Sequence, residues 1–240
     1  GTDAIKDLNP EQARQLVQRR VQEPWARSES FNGLTELTPE TAKVLAEIPR
    51  HGIAFNGLVT LSPEAATALA AFRGKLLSLN GLTTLSPEAA AGLAAFKGNA
   101  LSLNGLKEIA PEAAAGLAAF QGGLVELNGL TSLSPEAARL VVTVNKSGAS
   151  LAGLTTLSPE AAGILASCTC NFLHLDGLPA LSPDAAEALA GFKGGLLKLN
   201  GVRTLTAEAA AGLSTFKGHL VLAEMTALSP AAARGLAGFK

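Results

Sequence analysis

A leucine or isoleucine that precedes a triplet of the Ser-Pro-Glu type recurs every 24 residues along this 240-residue chain. The positions in strict register are Leu37, Leu61, Leu85, Ile109, Leu133, Leu157, Leu181 and Leu205. A looser copy flanks them at each end. The interval from Leu8 to Leu37 is longer than 24 residues, and the interval from Leu205 to Leu228 is shorter. Self-similarity at such a period is typical of solenoids, in which each repeat packs mainly on its neighbours. The chain is therefore predicted to stack ten repeats, eight regular and two imperfect.

The second half of each repeat is predicted to form a short α-helix. In residues 75–98, "KLLSLNGLTTLSPEAAAGLAAFKG", Ser86 can accept a backbone N–H at the helix start and Pro87 fits the first helical position. An apolar stripe follows, made of Ala89, Leu93 and Phe96. Gly98 offers a left-handed stop. A helix of about three turns is too short to be stable alone, so it must pack on other elements.

The first half of each repeat is predicted to form a short strand. Leu77 and Leu79 alternate with Ser78, as expected when one face of a strand is buried. Every such strand precedes a helix, so the strands must run parallel. Asn80-Gly81 then turns the chain, since asparagine and glycine tolerate positive φ. Because strands stack at about 4.8 Å and helices at about 8–10 Å, the stack should curve with the sheet on its concave side.

The pattern L-x-L-x-x-L-x-x-L followed by a helix resembles that of the leucine-rich repeat superfamily, over residues 31–240. Here the asparagine directly follows the second strand leucine, as at Asn80, and Leu82 stands where the family usually has its asparagine. The short bacterial repeats of the BspA-like type are nearest in this respect. The resemblance implies an α/β fold, a curved right-handed solenoid with a parallel sheet on the concave side and short α-helices on the convex side. It also implies protein binding.

The two ends of the chain differ from the regular repeats. Residues 1–30 are predicted to form an N-terminal helical cap, and residues 31–240 one continuous solenoid domain. Trp25 should lie across the apolar end of the first full repeat. Glu29 falls in a register that is later leucine or isoleucine, which fits a polar outer strand. At the other end, the helix of the last repeat is itself a cap or the protein continues.

Composition excludes some classes of function. The net charge is −1 and only 16% of the residues are charged, so the chain offers no electrostatic surface for nucleic acid or an anionic membrane. No apolar run is long enough to cross a bilayer. The chain starts at Gly1 without Met, so we expect a trimmed N-terminus, and the compartment stays open. We expect a monomer without a cofactor.

Cys168 and Cys170 occur as Cys-Thr-Cys. Cys168 falls where other repeats have phenylalanine, which favours a small buried apolar side chain. A disulfide between residues two apart should be strained. A metal site would need more ligands than His174, the only candidate nearby.

Residues that break the repeat are the candidate binding residues. We expect the outward strand positions to line a concave binding face: Ser78, Ser102, Glu126, Ser150, His174 and Lys198. Glu126, His174 and Lys198 should share one sheet face. The alternative is that all six are ordinary solvated strand residues.

Two further rows of residues have open interpretations. One row consists of the apolar residues at the start of the strands: Leu76, Leu124, Phe172 and Leu196. They form either an exposed apolar patch or the packing of a corner between strand and helix, and we favour the corner. The recurring asparagines either pair with each other as a side-chain ladder or cap their own bends: Asn32, Asn56, Asn80, Asn104, Asn128 and Asn200.

The sequence contains no motif that is typical of a catalytic site. Neither a phosphate-binding loop nor a G-x-S-x-G elbow is present, and the histidine spacings do not suggest a metal pair. We therefore expect a non-catalytic scaffold that binds a protein or peptide. The alternative is a structural spacer within a larger bacterial surface or envelope protein. A spacer should be monotonous throughout, whereas residues 139–176 vary most, which points to a binding site there.

Overall fold

The computed structural model describes residues 2–22 and 28–238, which form two compact halves, Gly1–Leu127 and Asn128–Lys240. The N-terminal half contains a 3₁₀ turn (Thr2–Ala4), α1 (Pro10–Val21), β1 (Ser28–Ser30), α2 (Pro39–Leu45), β2 (Gly52–Ala54), α3 (Pro63–Leu69), β3 (Leu76–Ser78), α4 (Pro87–Ala94), β4 (Ala100–Ser102), α5 (Pro111–Leu117) and β5 (Leu124–Glu126). The C-terminal half contains α6 (Pro135–Val144), β6 (Ala149–Ser150), α7 (Pro159–Ala166), β7 (Phe172–His174), α8 (Pro183–Ala190), β8 (Leu196–Lys198), α9 (Ala207–Leu213), β9 (His219–Val221) and α10 (Pro230–Leu236).

Strand and helix alternate as predicted, and each half is an α/β repeat solenoid with an open parallel sheet. The sheet order is β1-β2-β3-β4-β5 in the N-terminal half and β6-β7-β8-β9 in the C-terminal half. Strand partners lie one repeat apart, as in Leu77 opposite Leu101, and slightly closer in sequence at the last strand, where Leu197 pairs with Leu220. The inward leucines, such as Leu77 and Leu79, are fully buried. The repeat therefore sets the register of the sheet directly.

The helices begin where the sequence predicts. The side chain of Ser86 accepts the N–H of Ala89 and Pro87 is the first helical residue, and the same cap recurs in most repeats. The prediction was too long at the other end, because α4 ends at Ala94 rather than Phe96. Phe96 is nevertheless fully buried, so the apolar stripe extends beyond the helix.

Glycine at the Asn-Gly turn has a different role from the predicted one. None of the described glycines has positive φ, and none of the other described residues does. Instead, a Cβ on Gly81 would lie 2.2 Å from the carbonyl oxygen of Asn56 and 2.6 Å from that of Leu58. The turns of successive repeats are stacked so closely that only glycine fits between them.

Gly98 likewise is not a left-handed stop. A Cβ there would lie 2.1 Å from the ring of Phe96, two residues earlier. The same pairing of phenylalanine with a glycine two positions later occurs in five repeats: Phe72-Gly74, Phe96-Gly98, Phe120-Gly122, Phe192-Gly194 and Phe216-Gly218. Each ring lies over its glycine and is buried, so the two residues form one packing module.

The N-terminal cap copies the backbone path of a repeat. A Cβ on Gly33 would meet the carbonyl oxygens of Asp3 and Ile5, just as that on Gly81 meets those of Asn56 and Leu58. Asn9 caps α1 through a reciprocal pair of hydrogen bonds with Gln12. The predicted position of Trp25 lies outside the described residues.

Glu29 belongs to the first strand, where it pairs in register with Ile53, yet it is buried rather than solvated. Its carboxylate accepts hydrogen bonds from Thr2 Oγ1 at 2.6 Å and Arg20 Nη2 at 3.1 Å. Arg50 Nε lies 3.6 Å away, and Arg50 Nη1 donates to the carbonyl oxygen of Arg20 at 3.1 Å. The negative charge of Glu29 is thus paired with basic residues from both the cap and the next repeat.

Cys168 and Cys170 are joined by a disulfide, whereas the sequence favoured a small buried apolar side chain at Cys168. Their Cα atoms lie 5.3 Å apart, within the range usual for disulfides, because the chain bends there after α7. The predicted burial is confirmed, since both residues are almost fully buried.

Candidate functional site

The outer sheet face, the side of each sheet that points away from the core, carries the six predicted binding residues on two different sheets. Ser78, Ser102 and Glu126 are neighbours in the N-terminal half. Ser150, His174 and Lys198 are neighbours in the C-terminal half. Glu126 is thus on another sheet from His174 and Lys198, and the candidate site has to be considered one half at a time.

In the N-terminal half, a hydrogen-bonded ladder occupies the outer sheet face. Each asparagine side-chain oxygen accepts the backbone N–H of the corresponding asparagine in the next repeat: Asn32 to Asn56 at 3.0 Å, Asn56 to Asn80 at 2.9 Å, and Asn80 to Asn104 at 2.8 Å. These bonds join neighbouring asparagines, as one of the two predictions has it, but each runs from a backbone N–H to a side-chain oxygen rather than between two side-chain amides. The ladder ties side chain to backbone across the joint between repeats.

The serines take part in the same ladder. Ser78 donates to Asn56 Oδ1 at 2.8 Å and accepts from Asn80 Nδ2 at 3.0 Å. Ser78 and Ser102 are 7% and 3% exposed, so they present almost no surface to a ligand. Their hydroxyls form hydrogen bonds with the asparagine side chains instead.

Glu126 receives the last hydrogen bonds of this ladder. Its Oε2 lies 2.6 Å from Ser102 Oγ and accepts from Asn104 Nδ2 at 3.1 Å. The single hydroxyl hydrogen of Ser102 serves either this carboxylate or Asn80 Oδ1, which lies 2.8 Å away. Glu126 is therefore engaged within the protein.

The outer sheet face of the C-terminal half differs in chemistry. The rings of Phe172 and His174, two residues apart on β7, pack against each other with centroids 4.6 Å apart and planes tilted by 35°. Lys198 lies opposite His174 on β8. The half-buried Leu196 lies opposite Phe172, so an aromatic and apolar pair adjoins a basic pair. No other row on the described outer faces combines these side chains.

Burial and charge both act on His174. Desolvation lowers the pKa of its imidazole below 6.5, the neighbouring Lys198 lowers it further, and Asp176 acts in the opposite direction. The Nε2 atom is shielded from solvent and has no hydrogen-bond partner among the described residues. Burial and the neighbouring lysine thus both favour the neutral form of the imidazole.

The first residues of the strands lie on the outer sheet face rather than in a corner. Leu76, Leu124, Phe172 and Leu196 are all strand residues, and strand alternation puts each on the same side as the residue two positions later. The contact between the Phe172 and His174 rings shows this directly. All four are half-buried, so the outer sheet face of each half is partly apolar without a large exposed patch there.

The ladder is weaker in the C-terminal half. Asn128, Asp176 and Asn200 each accept the backbone N–H of the corresponding residue in the next repeat, at 3.4, 3.2 and 3.1 Å. Ala152 has no side-chain acceptor to offer. The polar side chains near β6 and β7 are thus less committed to holding the stack together than those near β3 and β4.

Other kinds of site find little support in the described residues. These residues contain no group of three or more histidines, cysteines, aspartates or glutamates arranged to hold a metal ion. None of the helices described is both long and apolar enough to cross a membrane. No protein-family model matches the chain, and neither does any curated protein sequence.

Proposed function

We propose that the protein is a non-catalytic scaffold that binds a protein or peptide through the outer sheet face of its C-terminal half. The observation that carries this proposal is the row of Phe172, His174 and Lys198, which interrupts an otherwise uniform surface. Aromatic and basic side chains on a rigid sheet can supply both apolar contact and hydrogen bonds to a peptide.

The N-terminal half favours a structural role. Its outer-face serines are buried, and the carboxylate of Glu126 accepts a hydrogen bond from Asn104 and lies within hydrogen-bond distance of the Ser102 hydroxyl. Groups that already satisfy one another gain little from a ligand, because binding would first have to break those hydrogen bonds. The binding proposal therefore omits Ser78, Ser102 and Glu126 and keeps His174, Lys198 and Ser150.

A random peptide library displayed on phage can test the proposal. Selection on the intact protein should give peptides whose affinity falls at least about tenfold in a His174→Ser/Lys198→Ser variant, as expected when two hydrogen-bonding partners at the centre of an interface are lost. Lys217→Ser is the matched control, because it removes an exposed lysine that follows α9 in the same half. Circular dichroism should show that all three proteins are equally folded.

Two results would contradict the proposal. One is that selection gives no binder. The other is that the selected peptides bind the double variant as tightly as the unchanged protein. Either result would favour the alternative, a structural spacer, which the uniform ladder of the N-terminal half also supports.

A further inference from the structure

The Cys168–Cys170 disulfide takes the place of a Phe-Gly packing module. In five other repeats the residue at the Cys168 position is phenylalanine and the residue at the Cys170 position is glycine. The glycine is required there, since a Cβ on Gly98 or Gly194 would lie 2.1 or 2.2 Å from the ring that covers it. Two cysteine side chains joined by a bond stand at these two positions instead.

The other described repeats follow the same rule. Where the ring is absent, the glycine is absent too: Arg50 stands two positions after Ile48, and Lys146 two positions after Val144. Arg50 is buried, and its side chain donates to the carbonyl oxygen of Arg20. Ring and glycine therefore occur together or not at all, and at Cys168–Cys170 a bond that can be reversibly broken replaces them both.

We propose that this disulfide is a site of thiol–disulfide exchange that makes the packing of the C-terminal half depend on redox state. A groove of about 680 Å³ between the C-terminal ends of α7 and α8 borders it. Cys168 lines this groove together with Thr169, Gly191 and Lys193, whereas Cys170 does not. An external thiolate reaches Cys168 first.

The reaction is a two-electron reduction by a dithiol. One thiolate of the dithiol attacks Cys168 Sγ, the bond between the cysteines breaks, and Cys170 leaves as a thiolate that takes a proton from water. The second thiolate of the dithiol then attacks the mixed disulfide and releases Cys168, which is protonated likewise. The dithiol becomes a cyclic disulfide, and the protein gains two hydrogens.

Reduction changes packing because two non-bonded sulfurs need more room than two bonded ones. Cys168 is only 3% exposed and Cys170 only 1%, so that room has to come from neighbouring side chains. Close-packed interiors respond even to small changes of volume. Reduction should therefore loosen the joints next to β7.

Thermal unfolding with and without dithiothreitol tests this inference. The melting temperature of the unchanged protein should fall by several degrees when the disulfide is reduced. The matched control is Cys168→Phe/Cys170→Gly, which restores the Phe-Gly module of the other repeats and should melt at the same temperature in both conditions. Cys168→Phe alone should be less stable than either, since the Cβ of Cys170 would then meet the ring.

Intact mass measurement should show that reduction adds two hydrogens to the unchanged protein and none to the double variant. Two free thiols per chain in protein purified without reductant would overturn the proposal, as would a melting temperature that reduction does not change. The point of attack has its own test, because Cys170→Ala should leave a thiol that reacts with an aromatic disulfide reagent under native conditions, whereas the thiol left in Cys168→Ala should react much more slowly. The opposite order would overturn the assignment of Cys168 as the attacked sulfur.

Discussion

Replacing Gly177 by alanine should destabilise the protein, although alanine is usually the better tolerated residue. Gly177 lies in the turn after β7, where a Cβ would come 2.2 Å from the carbonyl oxygen of Ala152 and 2.7 Å from that of Leu154. Both are backbone atoms of the preceding repeat. They can move only if the two repeats separate, which would strain the hydrogen bonds between their strands.

The magnitude follows from the cost of overpacking. Forced insertion of a methyl group into a packed interior costs about 1–3 kcal/mol, and the rigid neighbours here favour the upper end, about 3 kcal/mol. For a chain of this size each kcal/mol lowers the melting temperature by about 2–4 °C. The variant should therefore melt about 6–12 °C below the unchanged protein.

Gly163→Ala is the matched control, and its effect should have the opposite sign. Gly163 lies within α7 in the same half, and a Cβ there would have nothing within 4 Å. Alanine is favoured over glycine in a helix by about 1 kcal/mol, so this variant should melt about 2–4 °C higher.

Differential scanning calorimetry of the three proteins measures both shifts. If Gly177→Ala melted with the unchanged protein, the glycine would not be required by close stacking. If Gly163→Ala were equally destabilised, the two sites would not differ in the space around them. Either result would refute the explanation given for the Asn-Gly turn.

Four other perturbations have definite expected outcomes. Asn80→Ala removes the acceptor for one backbone N–H and one hydroxyl, and urea unfolding should show a loss of about 1–3 kcal/mol, whereas Asn80→Asp should retain part of it. Glu29→Ala leaves Arg50 buried without its carboxylate, at a cost of about 3–5 kcal/mol in the same assay. Hydrogen bonds from the side chain of Ser30 and the backbone of Asn32 lower the pKa of the Asp3 carboxyl below 3.8. The stability that the ionised carboxylate contributes is therefore present above pH 3.8 and is lost as pH falls through the pKa of the folded state. Stability measured over a pH series should not show this loss in Asp3→Asn. The pKa of His174 is lowered by desolvation and by Lys198, so stability should fall as pH drops below 6.5, and in an NMR titration Lys198→Ser should raise this pKa.

The sequence predicts the fold well because the repeat presents the same evidence many times. The Ser86-Pro87 start, the alternation of Leu77 and Leu79, and the strand register set by the repeat each follow from local chemistry and are all confirmed. Helix ends were less predictable, because Phe96 stays in the apolar stripe after the helix has ended. An apolar pattern reports burial and does not distinguish a last helical turn from a packed loop.

Contacts between repeats account for two of the predictions that were wrong. The role of Gly81 depends on a carbonyl oxygen of the preceding repeat, and the acceptor role of Asn80 on an N–H of the following one. Local turn rules do not contain such contacts. For the Phe-Gly packing module, in contrast, the sequence did contain a signal. Phe-x-Gly, Ile-x-Arg and Cys-x-Cys occur at the same place in different repeats, which indicates that the sizes of the two side chains compensate for each other.

The asparagine ladder also has a direction, since the side-chain oxygens of Asn32, Asn56 and Asn80 all accept from the repeat that follows. Asn56 holds Ser78 and Asn80, and Asn80 holds Ser102 and Asn104 in the same way. Excision of residues 57–80 would join Asn56 to Gly81 and offer its oxygen to groups of the same kind as before. Whole repeats are therefore interchangeable at this seam, and a gene encoding such a chain can lengthen or shorten by unequal recombination without leaving a mismatched joint.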